Sequence, residues 1–129
     1  MEDKYQRLVS ILNEVMDLEH VADLLEWDSE TYMPPGSADE RSHHRATVEA
    51  RLHREYTSPE VGRLLEELKP WAEQLNPDSD EARLIKVTER EYLRKTKVPE
   101  AMVTEMAELR TIATQVWQQA RAESDFSRF

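Results

Sequence analysis

Histidines and carboxylates are the side chains in this sequence whose types and spacing could do chemistry. The 129 residues include four histidines, at positions 20, 43, 44 and 53. A helical zinc hydrolase needs two histidines four residues apart, with a glutamate between them that activates water. No two of these histidines have that spacing, and the adjacent His43 and His44 would project about 100° apart on a helix. The sequence therefore predicts that this chain has no catalytic zinc site of its own.

A carboxylate-bridged di-metal bundle is a second metal hypothesis. It needs a Glu-x-x-His pair on each of two helices and a glutamate on each of two others. Glu40 with His43 makes one such pair, and Asp17 with His20 makes a poorer one. A chain with 27 acidic residues produces such pairs by chance, and Glu40 is also placed to cap a helix. We expect a solvated charged surface at these positions, and we keep the di-metal bundle as a third hypothesis below.

Composition excludes several other functions. The chain has no cysteine and two glycines, which excludes thiolate chemistry and glycine-rich phosphate loops. A net charge of −10 argues against binding to nucleic acid or to an anionic membrane surface, because both need clustered Lys and Arg. The N-terminus is polar, and no apolar run approaches the ~20 residues that cross a bilayer. A cytoplasmic location is the expectation that follows.

Hydrophobic periodicity predicts an all-α fold of about five helices, in a bundle or a long helical hairpin. Helix one is expected over about residues 3–26, and helix two from Ser37 to about residue 56. Ser37 and Glu40 would form a capping box at the start of helix two. Helix three would begin at Thr57 or Ser58, with Thr57 and Glu60 as a second box. Helices four and five are expected over about residues 80–96 and from about residue 99.

Apolar side chains on these helices predict the core. Trp71 and Trp117 are expected in it, and Pro70 is expected to kink or break helix three. Helix five carries apolar residues at alternating steps of four and three, a nearly heptad spacing that we interpret as a buried stripe: Met102, Met106, Leu109, Ala113, Val116 and Ala120.

The segment Trp27–Gly36 is predicted to be non-helical, because it contains two prolines and a glycine. It is rich in large side chains, unlike a plain linker. Trp27 and Met33 would either plug the end of the bundle or line a groove, and both hypotheses stay open. With the helix that follows, the segment supplies the candidate groove-facing or structural residues: Trp27, Asp28, Glu30, Thr31, Tyr32, Met33, Pro34, Pro35, Gly36 and Arg41.

These residues resemble a known family. The run Trp-Asp-x-Glu-Thr-Tyr-Met-Pro-Pro-Gly over residues 27–36, followed by an arginine-bearing helix, resembles the N-terminal region of carboxypeptidase Taq metallopeptidases. Further blocks resemble the same family in the same order, and together they cover nearly the whole chain: residues 57–60, 64–68, 90–92, 96–100 and 120–126.

The resemblance implies the properties of a complete family member. Such an enzyme is large, mostly helical and commonly a cytoplasmic homodimer, and it releases C-terminal residues from peptides in a deep groove. Its zinc is held by a His-Glu-x-x-His helix and a downstream glutamate, in a part of the family that this chain does not match. No catalytic or metal-binding residue can therefore be assigned here. The resemblance implies that residues 1–129 are one helical N-terminal domain, a lid or groove wall, whose partners would be the catalytic domain and the peptide substrate.

Two principal hypotheses follow, besides the di-metal bundle. The first is an N-terminal fragment of a zinc carboxypeptidase that shapes or covers the substrate groove and is inactive alone. In that case the polar helix two and the segment Trp27–Gly36 would face the groove or the missing body. The second is a standalone helical module that works by packing against itself or a partner. A truncated piece should also expose an apolar surface.

Overall fold

The computed structural model describes residues 1–128, and the regular elements in this range are all helical. The predicted all-α fold with about five helices is confirmed. Phe129, with which the predicted domain ends, lies outside the described residues. Within residues 1–128, no helix combines the length and the apolarity that crossing a membrane would need. The elements are α1 (Glu2–Thr31), a 3₁₀ turn (Pro35–Ser37), α2 (Ala38–Tyr56), α3 (Pro59–Ala72), α4 (Asp80–Lys95) and α5 (Glu100–Glu123).

The chain forms two compact units. Unit 1 consists of Met1–Asp17 and Leu52–Pro99, which comprise the first half of α1, the last turns of α2, and all of α3 and α4. Unit 2 consists of Leu18–Arg51 and the chain from Glu100 onward, which comprise the second half of α1, most of α2, and α5.

Unit 1 has a conventional apolar core. Leu8, Val61 and Leu68 are fully buried, and Ile85 is 3% exposed. Burial of each such side chain contributes roughly 1.5–3 kcal/mol, so this cluster is the main source of stability in the unit. Trp71 packs against it from the edge, as predicted. The other buried members are Ile11, Leu64 and Leu65, and the partly buried members are Tyr5, Leu12, Ala72 and Tyr92.

A glycine brings α3 and α4 close together in unit 1. A Cβ atom added to Gly62 would lie 2.5 Å from the Tyr92 hydroxyl oxygen and 2.9 Å from its Cζ. Both distances are far below ordinary van der Waals contact. Gly62 therefore leaves room for the Tyr92 ring, and a larger residue there would compete with that ring for the same space.

Ion pairs surround this core. The guanidinium of Arg7 donates to both carboxylate oxygens of Glu60, at 2.8 and 3.1 Å. This pairing lowers the pKa of Glu60 below its usual value and raises the pKa of Arg7. Lys69 pairs with Glu89 at 2.9 Å, and the hydrogen bond from Lys69 to Glu89 raises the pKa of Lys69. These pairs are exposed, so each contributes little to stability.

The helix starts in unit 1 follow from capping chemistry, with one correction. Ser58 is the N-cap of α3, where its hydroxyl accepts from the Val61 N–H at 3.4 Å. The alternative box from Thr57 to Glu60 is wrong, because the Thr57 hydroxyl donates backward to the His53 carbonyl and Glu60 binds Arg7 instead.

Pro70 does not break α3 where it stands. The helix continues to Ala72, so the predicted break is wrong at that position. Proline lacks one N–H donor. Because α3 ends only two residues after Pro70, few backbone hydrogen bonds of the helix are affected. A turn follows α3, in which the Asn76 side chain accepts from the Asp78 N–H at 3.0 Å.

Unit 2 has an interior of small and polar side chains. Its buried positions on α2 are Ser42, Arg45 and Ala46, and those in the middle of α5 are Ala107 and Thr111, each at most 4% exposed. Large apolar side chains point outward in this unit. They are Val21, Leu24 and Trp27 on α1, with Met102, Met106, Leu109, Ile112 and Trp117 on α5.

The α5 prediction is therefore wrong for most of the stripe, although its last member, Ala120, is buried at 4% exposure. Met102, Met106 and Leu109 are 47–57% exposed, although their periodicity predicted a core stripe. Trp117, also expected in the core, is 40% exposed. The buried positions of unit 2 are instead mainly alanine, serine and threonine, together with Arg45, a pattern that a hydrophobic stripe does not reveal.

Candidate functional site

Helix α1 extends into the segment that was predicted to be irregular. It continues to Thr31, so the non-helical prediction is wrong for residues 27–31. A proline removes its own N–H and restricts the residue before it, and it does not prevent helix further upstream. The helix ends where the Asp28 carbonyl accepts from the N–H groups of Tyr32 and Met33, at 3.0 and 2.8 Å.

The start of α2 also differs from the prediction. Ser37 lies in the 3₁₀ turn Pro35–Ser37, and its N–H bonds to the Pro34 carbonyl at 3.0 Å. The predicted capping box with Glu40 is therefore wrong, because an N-cap residue lies outside the helical turn and has an extended backbone. Ser42 bonds to the Asp39 carbonyl at 2.6 Å within the first turns of α2.

Arg41 connects α2 to the end of α1. Its side chain is 16% exposed, and its Nη2 lies 2.6 Å from an Asp28 carboxylate oxygen. Its Nη1 donates to the Leu25 carbonyl at 2.9 Å and approaches the Ser29 hydroxyl at 3.4 Å. Two of the sequence-predicted residues, Asp28 and Arg41, are thus brought together, and the pair positions the last turns of α1.

The two aromatic residues of the segment form an exposed pair. The rings of Trp27 and Tyr32 meet edge to face, with centroids 5.5 Å apart. Trp27 is 56% and Tyr32 is 76% exposed, so Trp27 is not buried as a plug in this chain. An exposed aromatic pair offers stacking surface and polar edges for a ligand or a protein partner.

A small cavity lies beside this segment in unit 2. Its volume is about 20 Å³, enough for one water molecule. Glu30 and Met33, two of the predicted residues, line it. The remaining lining is polar or charged and comes from α1, α2 and α5: Glu26, Ser29, Arg45, Thr111, Thr114, Gln115 and Gln118.

Arg45 is the residue of this site that the sequence did not single out. Its side chain is 5% exposed, and its Nη2 lies 3.3 Å from Glu49 and 3.6 Å from Glu26. The Arg45 Nε has no hydrogen-bond partner. A signal was available, because Ser42, Arg45 and Glu49 follow the three- and four-residue steps of one helix face. The same polar helix contains three other arginines, Arg41, Arg51 and Arg54, so Arg45 did not stand out in the sequence.

The other predicted residues of the segment have local roles. The Thr31 hydroxyl donates to the Trp27 carbonyl at 2.7 Å, a bond that uses a carbonyl near the helix end. Pro34, Pro35 and Gly36 are exposed. These four residues do not line the small cavity. Their local role is in the backbone at the end of α1 and in the turn before α2.

Metal binding is not supported by the arrangement of side chains. Among the described residues, no group of three or more His, Asp or Glu side chains is placed to hold a metal ion. His43 lies 3.3 Å from Glu108 in an exposed pair, and His53 is buried at 9% exposure. The histidines present do not fit a zinc site, and the di-metal hypothesis gains no support. Arg45 is paired with Glu26 and Glu49, which suits positioning rather than acid–base chemistry.

Comparison with known proteins identifies the family. The family model described as carboxypeptidase Taq (M32) metallopeptidase matches residues 7–129. This chain belongs to that family. Thermostable carboxypeptidase 1 of Thermus thermophilus is 28% identical over 99% of the chain, and its namesake from Pyrococcus furiosus is 30% identical over 98%. The crystal structure of BsuCP has the same fold, with a TM-score of 0.90 over 97% of the chain at 23% identity.

The match covers a minor part of each relative. This chain spans 25% of the Thermus protein, 23% of the Pyrococcus protein and 25% of the BsuCP chain. It corresponds to an N-terminal part of the family, as the resemblance predicted. The family is therefore established for the chain, while the activity of the full-length relatives is a separate question.

Proposed function

We propose that this chain is the N-terminal helical wall of a zinc-dependent carboxypeptidase, and that it shapes the substrate groove without hydrolysing peptides by itself. One observation carries the proposal. The family match extends along the chain from residue 7, yet the described residues contain no cluster of metal-ligating side chains. A metallopeptidase that releases C-terminal residues needs such a cluster to activate water, so the catalytic groups would come from the remainder of the enzyme.

The exposed aromatic pair is the part of this wall that we assign to the groove. Trp27 and Tyr32 present open ring surface, which suits the apolar side chains and the flat backbone of an extended peptide. The Asp28–Arg41 pair supports this assignment, because it fixes the helix end that carries both rings. Zinc in the complete enzyme would supply the Lewis acid, and the residues described here would bind and orient the peptide.

A standalone interaction module is the second candidate. The exposed apolar side of α5 favours it, with Leu109 at 57% and Met102 at 51% exposure. Such a surface is typical of a helix that packs on a partner. The two candidates differ in whether the chain contributes to peptide hydrolysis, and this difference can be measured.

A domain replacement tests the proposal. Residues 1–128 would replace the matched segment of the Thermus carboxypeptidase 1, with the corresponding segment of the Pyrococcus furiosus relative as a positive control for the exchange. We expect the chimera to release C-terminal residues from peptides. Trp27→Ala and Tyr32→Ala should each raise KM several-fold with little change in kcat, because they remove uniform binding. Leu93→Ala, an exposed apolar position on α4, is the matched control.

Two results would contradict the proposed function. If the Thermus enzyme without its matched segment keeps the kcat/KM of the intact enzyme, the segment does not shape the groove. If Trp27→Ala and Tyr32→Ala leave KM at the value of Leu93→Ala, the aromatic pair does not contact the peptide.

A further inference from the structure

Unit 1 contains a larger cavity than the one in unit 2, and the two share no lining residue. It is open to solvent and is formed by the end of α3, the first half of α4 and the loop that joins them, with a volume of about 250 Å³. Pockets for drug-sized ligands have volumes of about 300–1,000 Å³. This cavity, which we call the α3–α4 cavity, therefore suits a smaller molecule.

Part of the wall of the α3–α4 cavity is apolar. Ala82 and Ile85 of α4 line it and are buried, at 8% and 3% exposure. Ala72 at the end of α3 and Leu75 in the loop also line it and are half-buried. The two alanines leave space that longer side chains would fill. An apolar group of a ligand would be removed from water against these residues, which favours its binding.

Four charged side chains also line the α3–α4 cavity, two of each sign. Lys69 and Glu89 are paired with each other at 2.9 Å. Lys86 on α4 and Glu73 just after α3 are exposed, and neither side chain takes part in an ion pair among the described residues. One ammonium group and one carboxylate are thus available to a ligand beside the apolar wall.

We propose that the α3–α4 cavity binds a free α-amino acid with an apolar side chain. The α-carboxylate of the ligand would pair with Lys86, and its α-ammonium group would pair with Glu73. Its side chain would lie against Ala72, Ala82 and Ile85. A simple carboxylate or amine would use only one of the two charges, and a polar side chain would not benefit from the apolar wall.

Binding at this cavity does not require the chain to hydrolyse peptides. A carboxypeptidase releases free amino acids, so in a complete enzyme the cavity would hold a reaction product, and this connection alone rests on the proposed function. The titration that tests the cavity uses no peptide. It can therefore show binding when the chimera is inactive, or no binding when the chimera is active.

Titration of the isotope-labelled chain with free leucine, followed through its amide chemical shifts, tests the site. We expect shift changes at residues 72–77 and 82–89, with a dissociation constant of about 1–10 mM, because a small ligand makes few contacts. Isocaproate lacks the ammonium group of leucine and isoamylamine lacks its carboxylate, so each should bind about threefold more weakly or worse. Free glycine, which lacks the side chain, should cause no changes at these residues.

Charge variants identify the two polar contacts. Lys86→Ala and Glu73→Gln should each raise the dissociation constant of leucine about threefold or more. Lys86→Ala should not weaken the binding of isoamylamine, and Glu73→Gln should not weaken that of isocaproate, because each ligand lacks the group that the variant no longer binds. The matched controls, Lys97→Ala and Glu66→Gln, change exposed residues of unit 1 that do not line the cavity. Both should leave the constant for leucine unchanged.

A filling variant tests the apolar wall with the charges left in place. Ala72→Leu puts a larger side chain into the cavity and should abolish the shift changes that leucine causes. Circular dichroism checks that this variant remains helical, and the charge variants test the site independently of its folding.

Three results would overturn the assignment. The first is the absence of shift changes at residues 72–77 and 82–89 up to the solubility limit of leucine. The second is equal weakening by Lys86→Ala and Lys97→Ala, which would place the carboxylate elsewhere. The third is equal binding of glycine and leucine, which would show that the ligand does not use the apolar wall.

Discussion

Substitution of glycine by alanine is predicted to change the stability of this chain in opposite directions at its two glycines. Gly62 lies within α3 facing Tyr92, whereas a Cβ atom added to Gly36 would meet no atom within 4 Å. Alanine in a helix interior is favoured over glycine by about 1 kcal/mol. If packing did not matter, Gly62→Ala would therefore stabilise unit 1.

Packing reverses that expectation at Gly62. The added methyl would lie 2.5 Å from the Tyr92 hydroxyl oxygen and 2.9 Å from Cζ, and overpacking of this kind costs about 1–3 kcal/mol. The ring is half-buried and packs against the core, so a shift of the ring to make room would weaken those contacts. Subtracting the helix gain leaves a net destabilisation of roughly 1 kcal/mol.

Urea unfolding followed by circular dichroism measures this difference. We expect Gly62→Ala to lower the unfolding free energy by about 1 kcal/mol and the melting temperature by roughly 3–5 °C. Gly36→Ala should be neutral or stabilising by up to about 1 kcal/mol, because alanine restricts the unfolded chain without a clash.

A double variant identifies the cause. Tyr92→Phe removes the nearest atom, so Gly62→Ala should cost less in that background, with a coupling of about 0.5–1 kcal/mol. Partial recovery is expected, because the 2.9 Å approach to Cζ remains. A stabilising Gly62→Ala, or an equal cost with and without the hydroxyl, would refute the reasoning.

Three further predictions concern the core, an ion pair and a helix end. Leu68→Ala, at a fully buried position, should lower the unfolding free energy by about 2–5 kcal/mol in urea; a loss below 1 kcal/mol would contradict the assigned core. Arg7 lowers the folded-state pKa of Glu60, so Glu60 stabilises the chain above its unfolded pKa and this contribution disappears as pH falls. The natural chain should melt at a higher temperature than Glu60→Gln, and this difference should be constant above about pH 5 and shrink toward pH 3. A difference that grows as the pH falls would contradict the lowered pKa of Glu60. Arg41→Ala removes the bond to the Leu25 carbonyl and should cost about 1.5–3 kcal/mol, with faster hydrogen exchange at residues 29–33; unchanged exchange there would show that Arg41 does not hold the helix end.

The sequence predicted where the helices lie along the chain better than it predicted which side of each helix is buried. Caps and prolines located the starts of α3, α4 and α5 to within about two residues, because capping chemistry is local. The predicted end of α1, near residue 26, is five residues early, because the prolines at 34 and 35 do not prevent helix further upstream. The N–H groups of Tyr32 and Met33 bind the Asp28 carbonyl, so the backbone hydrogen bonds of α1 continue up to the turn.

The face of α5 could not be predicted, because periodicity identifies a stripe and does not say what covers it. In unit 1 the stripe of α3 is the core, with Leu68 fully buried. In unit 2 the interior belongs to Ala107 and Thr111, and the stripe is outside. The burial of Arg45 was harder to predict, because its partner Glu26 lies on α1 and is brought close only in the folded chain, whereas Glu49 is one helical turn away.

The family assignment rested on the residues of the segment 27–36 and their order with later blocks, and the comparisons confirm it. The contribution of that segment to a groove stays a prediction. Its residues are now divided by location: Trp27 and Tyr32 are exposed, Glu30 and Met33 line a small cavity, and Asp28 is held by Arg41.

The most direct test of the central claim is a carboxypeptidase assay of the purified chain with added zinc, read together with its bound metal. The Thermus carboxypeptidase 1 at equal concentration serves as the positive control. We predict no release of C-terminal amino acids and no stoichiometric zinc, because the described histidines do not converge on a metal. Release of C-terminal residues that a chelator abolishes, with about one zinc per chain, would contradict the account.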